Sequence, residues 1–132
     1  MHQKLHPSTW KKASGYANGI EAPAGRTLFL GGQIGWTGDQ VFESDDFIDQ
    51  VRQTLKNIVA ILAEAGAGPE HLVRLTWFVT DKREYLARLK EVGEAYRETL
   101  GKNFPAMTMV QVVALVEDRA KVEIEATAVL PA

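Results

Sequence analysis

The chain has no cysteine, no long apolar run and no excess of basic charge, and each absence excludes a class of function. Without a thiol among its 132 residues, it forms no disulfide, thiolate nucleophile or thiolate metal site. No run approaches the length of a membrane span, and residues 1–7 lack the apolar stretch of a signal peptide. We therefore expect a cytoplasmic protein with no membrane partner.

The charge balance argues against nucleic acid as a partner. The formal net charge is -2, with 24% charged residues of both signs evenly mixed. Proteins that bind nucleic acid usually carry a basic stripe, which this chain lacks. Trp10, Trp36 and Trp77 are widely separated, so we interpret them as packing residues rather than as a stacking platform for bases.

The sequence offers no pattern for a metal or a cofactor. His2, His6 and His71 are too scattered to predict a metal site. Residues 31–35 are rich in glycine, but they follow neither the phosphate-loop nor the dinucleotide-binding pattern. We expect neither a bound metal nor a cofactor.

A chain of this length fits one domain, residues 1–132, and its hydrophobic periods predict an α+β fold. Residues 27–34 form a β-prone run that we expect to pair with the segment around Tyr16, with a bulge at Gly31 and Gly32. The last two strands should flank a turn at residues 117–119.

Two apolar helical stripes and a strand over residues 72–79 lie between the first strands and the last two strands. The first stripe contains Phe47, Val51, Leu55, Ile58, Val59 and Leu62, and the second, capped by Asp81, contains Tyr85, Leu89, Val92, Tyr96 and Leu100.

These elements predict the order β-β-α-β-α-β-β. The result is a two-layer sandwich with both helices on one face of a mostly antiparallel mixed sheet. Strands over residues 72–79 and 107–116 carry apolar residues on both sides. Exposed apolar faces of that size are uncommon on monomers, so the pattern predicts that the uncovered face meets another subunit.

The last strand has an acidic side and an apolar side. Val122, Ile124 and Ala126 alternate with Glu123 and Glu125. One interpretation is an ordinary strand with one face in the core and one face in water. The other is that a carboxylate on the open face does chemistry.

Several short motifs, in order along the chain, resemble those of the RidA/YjgF-like family of reactive intermediate deaminases. Residues 15–19 are similar to the family's G-P-Y-x-x-G, and residues 28–35 to its apolar strand followed by S-G-Q-I. The remaining matches are a Q-x-x-x-x-L-x-N helix at residues 50–58, a strand at 73–81, and the ending 104–106 followed by 122–126. Each motif alone is weak, but coincidence does not explain so many in one order.

The resemblance implies an imine or enamine deaminase that forms a barrel-like homotrimer with clefts between subunits. Tyr16 and Glu123 align with the tyrosine and the acidic residue of the family's site, so we expect them to be catalytic. A carboxylate that orients water and stabilises an iminium is sufficient for imine hydrolysis in principle. Without the resemblance, a half-buried ring explains Tyr16 equally well.

The chain departs from the family at two positions that bear on the substrate. Met107 stands where the family typically has an arginine that grips a carboxylate through two hydrogen bonds, and a thioether cannot replace that contact. Gly31 stands where many members have serine. Met109 shares the strand face of Met107, and Arg26 or Arg74 is a candidate to hold a distant carboxylate. These five residues are the predicted substrate contacts.

The sequence is compatible with three functions. The first is hydrolysis of a small reactive imine or enamine with release of ammonia, on an atypical substrate because of Met107. The second is binding of a small ligand without turnover, as a sensor or carrier. The third is a holdase-like or structural role with a vestigial cleft.

Overall fold

The computed structural model describes residues 2–132 and contains six strands and three α-helices in that range. A single 3₁₀ turn, Pro69–His71, precedes the fourth strand. In chain order the elements are β1 (Gln3–Leu5), β2 (Gly19–Glu21), β3 (Gly25–Ile34), α1 (Phe47–Glu64), β4 (Leu72–Val79), α2 (Lys82–Ala87), α3 (Leu89–Leu100), β5 (Ala106–Gln111) and β6 (Val122–Pro131).

The predicted α+β class and mixed, mostly antiparallel sheet are confirmed. The main sheet has the strand order β3-β6-β4-β5, in which only β4 and β5 are parallel. Helices α1 and α3 pack on each other, and α1 also contacts β3 and β6. Alternate residues of β4 and β6 point into the core below the helices: Leu75, Trp77, Val79, Val122, Ile124, Ala126 and Ala128.

Strand pairing differs from the prediction at the start of the chain. β3 pairs with β6, and the segment around Tyr16 does not pair with it. Gly15 has φ +78°, a left-handed conformation that interrupts an extended backbone, and β1 and β2 form a separate small sheet. Ala17 instead bridges Ala106, and its N–H donates to the Pro105 carbonyl at 3.0 Å. Tyr16 therefore lies beside β5, at the opposite edge of the sheet from β3.

The chain after β5 was also predicted wrongly. The expected strand to residue 116 ends at Gln111, because its neighbour β4 ends at Val79. The Val112 N–H still donates to the Val79 carbonyl, but Val113 and Val116 lie fully exposed in the loop beyond. The bulge predicted in β3 is confirmed, since the register with β6 shifts between Leu30 and Gln33.

The predicted second helix is divided into α2 and α3 at Arg88. Its backbone, with φ -126° and ψ 33°, leaves the helical region. The Arg88 guanidinium donates to Asp46 at 2.6 Å and to both carboxylate oxygens of Glu91, at 3.1 and 2.6 Å. Asp46 is the N-cap of α1 and also accepts from the Asp49 N–H at 3.1 Å. The break between α2 and α3 is thus fixed to the start of α1.

The Asp46 contacts make this junction sensitive to acid. The hydrogen bond from Arg88 is the main cause that lowers the pKa of Asp46, against a smaller opposing effect of burial. Because the folded-state pKa is lowered, the stabilisation is complete above the unfolded-state pKa of about 3.9. It is lost as the pH falls through the lower folded-state pKa.

We predict that Asp46→Ala lowers the free energy of unfolding by about 1 kcal/mol or more at pH 7, since it removes a helix cap. Asp46→Asn keeps the cap and removes the charge, so it should cost less. Urea unfolding at pH 7 and at pH 3 measures both effects, and the penalty of the Asn variant should shrink at pH 3. An equal penalty at both pH values would contradict the ionic role of Asp46.

Candidate functional site

A cleft of about 770 Å³ opens on the helix-covered side of the sheet, between β5, α2, α3 and residues 14–16. This volume is in the range of small-molecule sites. Its lining is mainly apolar and aromatic. The aromatic residues are Tyr16, Trp77, Tyr85, Tyr96 and Phe104, and the thioethers are Met107 and Met109.

Three aromatic rings stack on one another beneath this cleft. The Trp77 and Tyr96 ring centroids are 6.5 Å apart, and those of Tyr96 and Phe104 are 5.1 Å apart, with interplanar angles of 17° and 15°. The Tyr96 hydroxyl donates to the Asn103 carbonyl, which holds the middle ring in place. Burial raises the pKa of Tyr96, so the hydroxyl stays neutral. Trp77 and Tyr96 are only 2% and 5% exposed, so a ligand entering the cleft instead meets the more exposed rings of Tyr16, Tyr85 and Phe104, here called the aromatic lining.

Tyr16, Met107 and Met109 come together in the cleft. Met107 and Met109 are in register with Leu75 and Trp77, so they share the helix-covered face of the sheet. Tyr16 is 44% exposed beside them, positioned by the bridge that Ala17 makes to β5. Three of the predicted site residues therefore line one cleft.

Glu123 lies on the other face of the sheet. It is paired with Phe78, whereas its neighbour Ile124 is paired with Trp77 and points into the core. The Glu123 carboxylate lies over Gly32, where an added Cβ would be 2.8 Å from its carboxyl carbon. No hydrogen bond within residues 2–132 engages this carboxylate. Glu123 is therefore available to an external group, but on the opposite side from Tyr16.

The three remaining predicted contacts lie outside the cleft. Gly31 is in the β3 bulge, with open space where a Cβ would point. Arg74 is exposed on the open face, paired with Thr127 and Ala106. Arg26 is exposed near the start of β3, opposite Leu130. None of the three lines the cleft that holds Met107.

Sequence reasoning missed the cations of the cleft, Arg97 and Lys102. Arg97 follows Leu89 and Gly93 at intervals of four residues, which places all three along one side of α3. That spacing was the available signal, but a basic residue at an exposed helix position is typical of a solvated surface. The interpretation of Trp77 as a packing residue is confirmed, because it is buried in the core, where its Nε1 has no hydrogen-bond partner within residues 2–132.

The described residues contain no cluster suited to a metal ion and no helix able to cross a membrane. Within residues 2–132, no three histidine, cysteine or acidic side chains cluster closely enough to hold a metal ion. Across the same residues, every helix is too short or too polar to cross a membrane.

Comparisons with known proteins agree with the geometry. The model of the family described as Endoribonuclease L-PSP matches residues 7–130. Protein DfrA of Myxococcus xanthus is 35% identical over 127 residues, which cover 95% of this chain and 93% of DfrA. The crystal structure of YyfB from Yersinia pestis, a Rid family protein of unknown function, superposes with a TM-score of 0.87 at 29% identity, covering 98% of each chain.

A third relative has a more specific description. TdcF of Escherichia coli K12, provisionally described as a reactive intermediate deaminase, is 32% identical over 114 residues, covering 86% of this chain and 85% of TdcF. The crystal structure of E. coli TdcF with bound serine superposes with a TM-score of 0.68 at 29% identity, covering 97% of this chain and 98% of that one. Both the sequence and the fold therefore resemble a protein that holds a small amino acid.

We predict that Gly32→Ala displaces the Glu123 carboxylate, because the added Cβ would overlap it. Gly31→Ala is the matched control, since its Cβ meets open space one residue away. Crystal structures of both variants should show a new Glu123 side-chain conformation only in Gly32→Ala. An unmoved carboxylate in that variant would show that the strand shifts instead.

Proposed function

This chain belongs to the RidA/YjgF-like family, and from that membership we propose that it hydrolyses reactive imines or enamines and releases ammonia. Glu123 and Tyr16 are the proposed catalytic residues. One observation carries this proposal: the Glu123 carboxylate makes no hydrogen bond within residues 2–132. An unpaired carboxylate can accept a proton from water or stabilise an iminium.

The proposed reaction needs only water as co-reactant. Water adds to the carbon of the protonated C=N bond while Glu123 accepts a proton from it, which gives a tetrahedral carbinolamine. Transfer of that proton to nitrogen allows the C–N bond to break, and the hydroxyl proton passes to Glu123 as the carbonyl forms. Glu123 then returns this proton to the departing ammonia, which leaves as ammonium. The anionic carboxylate also stabilises the cationic iminium. Tyr16 contacts the substrate through its hydroxyl.

The proposed site is shared between subunits of a homotrimer. Glu123 and Tyr16 lie on opposite faces of one sheet, so they cannot reach one ligand within a single subunit. The open face also bears exposed apolar groups beside Glu123, of which Phe29 is 81% exposed and Val110 is 42% exposed. Contact between this face and a neighbour's cleft would cover those groups and bring the two catalytic residues together.

Binding without turnover is the second candidate, and the serine bound to E. coli TdcF favours it. That complex shows that a relative holds an amino acid. It does not require that the ligand be consumed. Ammonia release separates the two functions.

We predict that Glu123→Gln lowers the rate of ammonia release by about 10²- to 10⁴-fold, the usual contribution of a general base. Imino acids are generated in the assay by an amino acid oxidase, and ammonia release is compared with the spontaneous rate. Glu125→Gln is the matched control, because it removes the same charge from the same strand face. Equal rates for Glu123→Gln and the unmodified protein would remove Glu123 from the mechanism.

A mixing experiment tests whether the site is shared. Tyr16→Phe and Glu123→Gln should each be nearly inactive alone, since each defect is present in every site. Unfolding and refolding the two together should restore about a quarter of the activity, because random assembly pairs two intact halves in that fraction of sites. No restoration in verified mixed oligomers would mean that the two residues act within one subunit or in different sites.

A further inference from the structure

We propose that Arg97 holds the carboxylate of the ligand in the cleft, and that the aromatic lining selects acids with an aromatic side chain. The substrates would then be 2-imino acids or 2-enamine acids of this type. Their turnover rests on the proposed function, whereas binding of the acid does not. Nothing in the sequence motifs assigns a role to Arg97.

The Arg97 guanidinium is directed back along α3 towards the cleft. It lies against Gly93 one turn earlier, with Nη1 3.1 Å from the point where a Cβ of Gly93 would lie. Both residues line the cleft. A glycine inside a helix is less favourable than alanine, and here its missing side chain leaves space for the guanidinium. The planar fork of arginine suits a carboxylate, which accepts two parallel hydrogen bonds.

The charge of the cleft favours an anion. Arg97 and Lys102 are its two cations, and no acidic residue lines it. Within residues 2–132, neither cation forms a salt bridge. The chain as a whole carries a formal net charge of -2, so this unpaired positive charge is local. A cleft with one sign of charge concentrates ligands of the other sign.

The apolar lining indicates what the rest of the ligand is. The rings of the aromatic lining, Tyr16, Tyr85 and Phe104, are at least partly exposed, and aromatic groups favour stacked or edge contacts with such rings. Met107 lies on the same side of the sheet and adds a polarizable sulfur, which makes favourable contacts with aromatic rings. Met107 therefore adds apolar surface for the ligand in the cleft.

A purely structural role for Arg97 is the alternative to be tested. Arg97 lies in the last turn of α3, where a positive charge is favourable near the helix carbonyls. That role depends on charge and changes helix stability. A carboxylate-binding role depends on the guanidinium and on the ligand's own charge.

The test is calorimetric titration of the whole protein with phenylpyruvate, its neutral analogue 1-phenylpropan-2-one, and pyruvate. Arg97→Gln should weaken phenylpyruvate binding about ten- to hundredfold, as expected for loss of a charge-assisted pair. Arg97→Gln should leave the affinity for the neutral ketone unchanged. Arg83→Gln, an exposed charge on α2 outside the cleft, should change neither. Phenylpyruvate should also bind more tightly than pyruvate.

A third variant separates binding from helix stability. Arg97→Lys keeps the charge at the helix end, so it should keep the melting temperature but recover only part of the phenylpyruvate affinity. Equal losses of phenylpyruvate affinity in Arg97→Gln and Arg83→Gln would overturn the role of Arg97. So would a phenylpyruvate affinity that falls only in proportion to the melting temperature of each variant. Pyruvate binding as tightly as phenylpyruvate would overturn the selection of aromatic acids.

Ligand binding by Arg97 and ammonia release can be tested separately. Arg97-dependent binding of phenylpyruvate without ammonia release from the imine of phenylalanine would retain the inference and exclude the deaminase. Ammonia release that depends on Glu123 but not on Arg97, with an unchanged KM, would retain the deaminase and exclude the inference.

Discussion

The alternation of side chains along β6 is the constraint on which the rest of the structure depends. This strand lies between β3 and β4, so each of its residues faces either the helices or the open side. Val122, Ile124, Ala126 and Ala128 close the core, and Glu123 must point the other way. A register shift of one residue would bury a carboxylate and expose the core. The position of Glu123 is thus fixed by the same packing that stabilises the fold.

That constraint also divides the proposed site. The cleft with Tyr16 and Met107 is on the helix side, while Glu123 and Gly32 are on the open side. A catalytic unit that uses both sides needs a second copy of the chain. This is why the proposed chemistry and the proposed homotrimer depend on each other, whereas ligand binding by the cleft alone does not.

Local patterns predicted much of the fold, and long-range contacts were missed. The stripe of α1 and the faces of β4 and β6 follow from their periods, and the cap at Asp81 from a single residue. The pairing of β3 with β6 joins residues about a hundred positions apart, which no local pattern specifies. The break at Arg88 contains neither glycine nor proline, so no local pattern predicts it. Arg88 instead contacts Asp46, which is distant in the sequence. Arg97 was missed for a related reason, since only the folded helix brings it beside the cleft.

A crystal structure of the protein with bound phenylpyruvate would distinguish a site shared between subunits from a site within one subunit. We expect a ligand in the cleft, with its carboxylate on Arg97 and its ring against the aromatic lining formed by Tyr16, Tyr85 and Phe104. We also expect that the Glu123 nearest to the ligand belongs to a neighbouring subunit. A ligand bound in the cleft with every Glu123 carboxylate far from it, in the oligomer present in solution, would contradict the shared site.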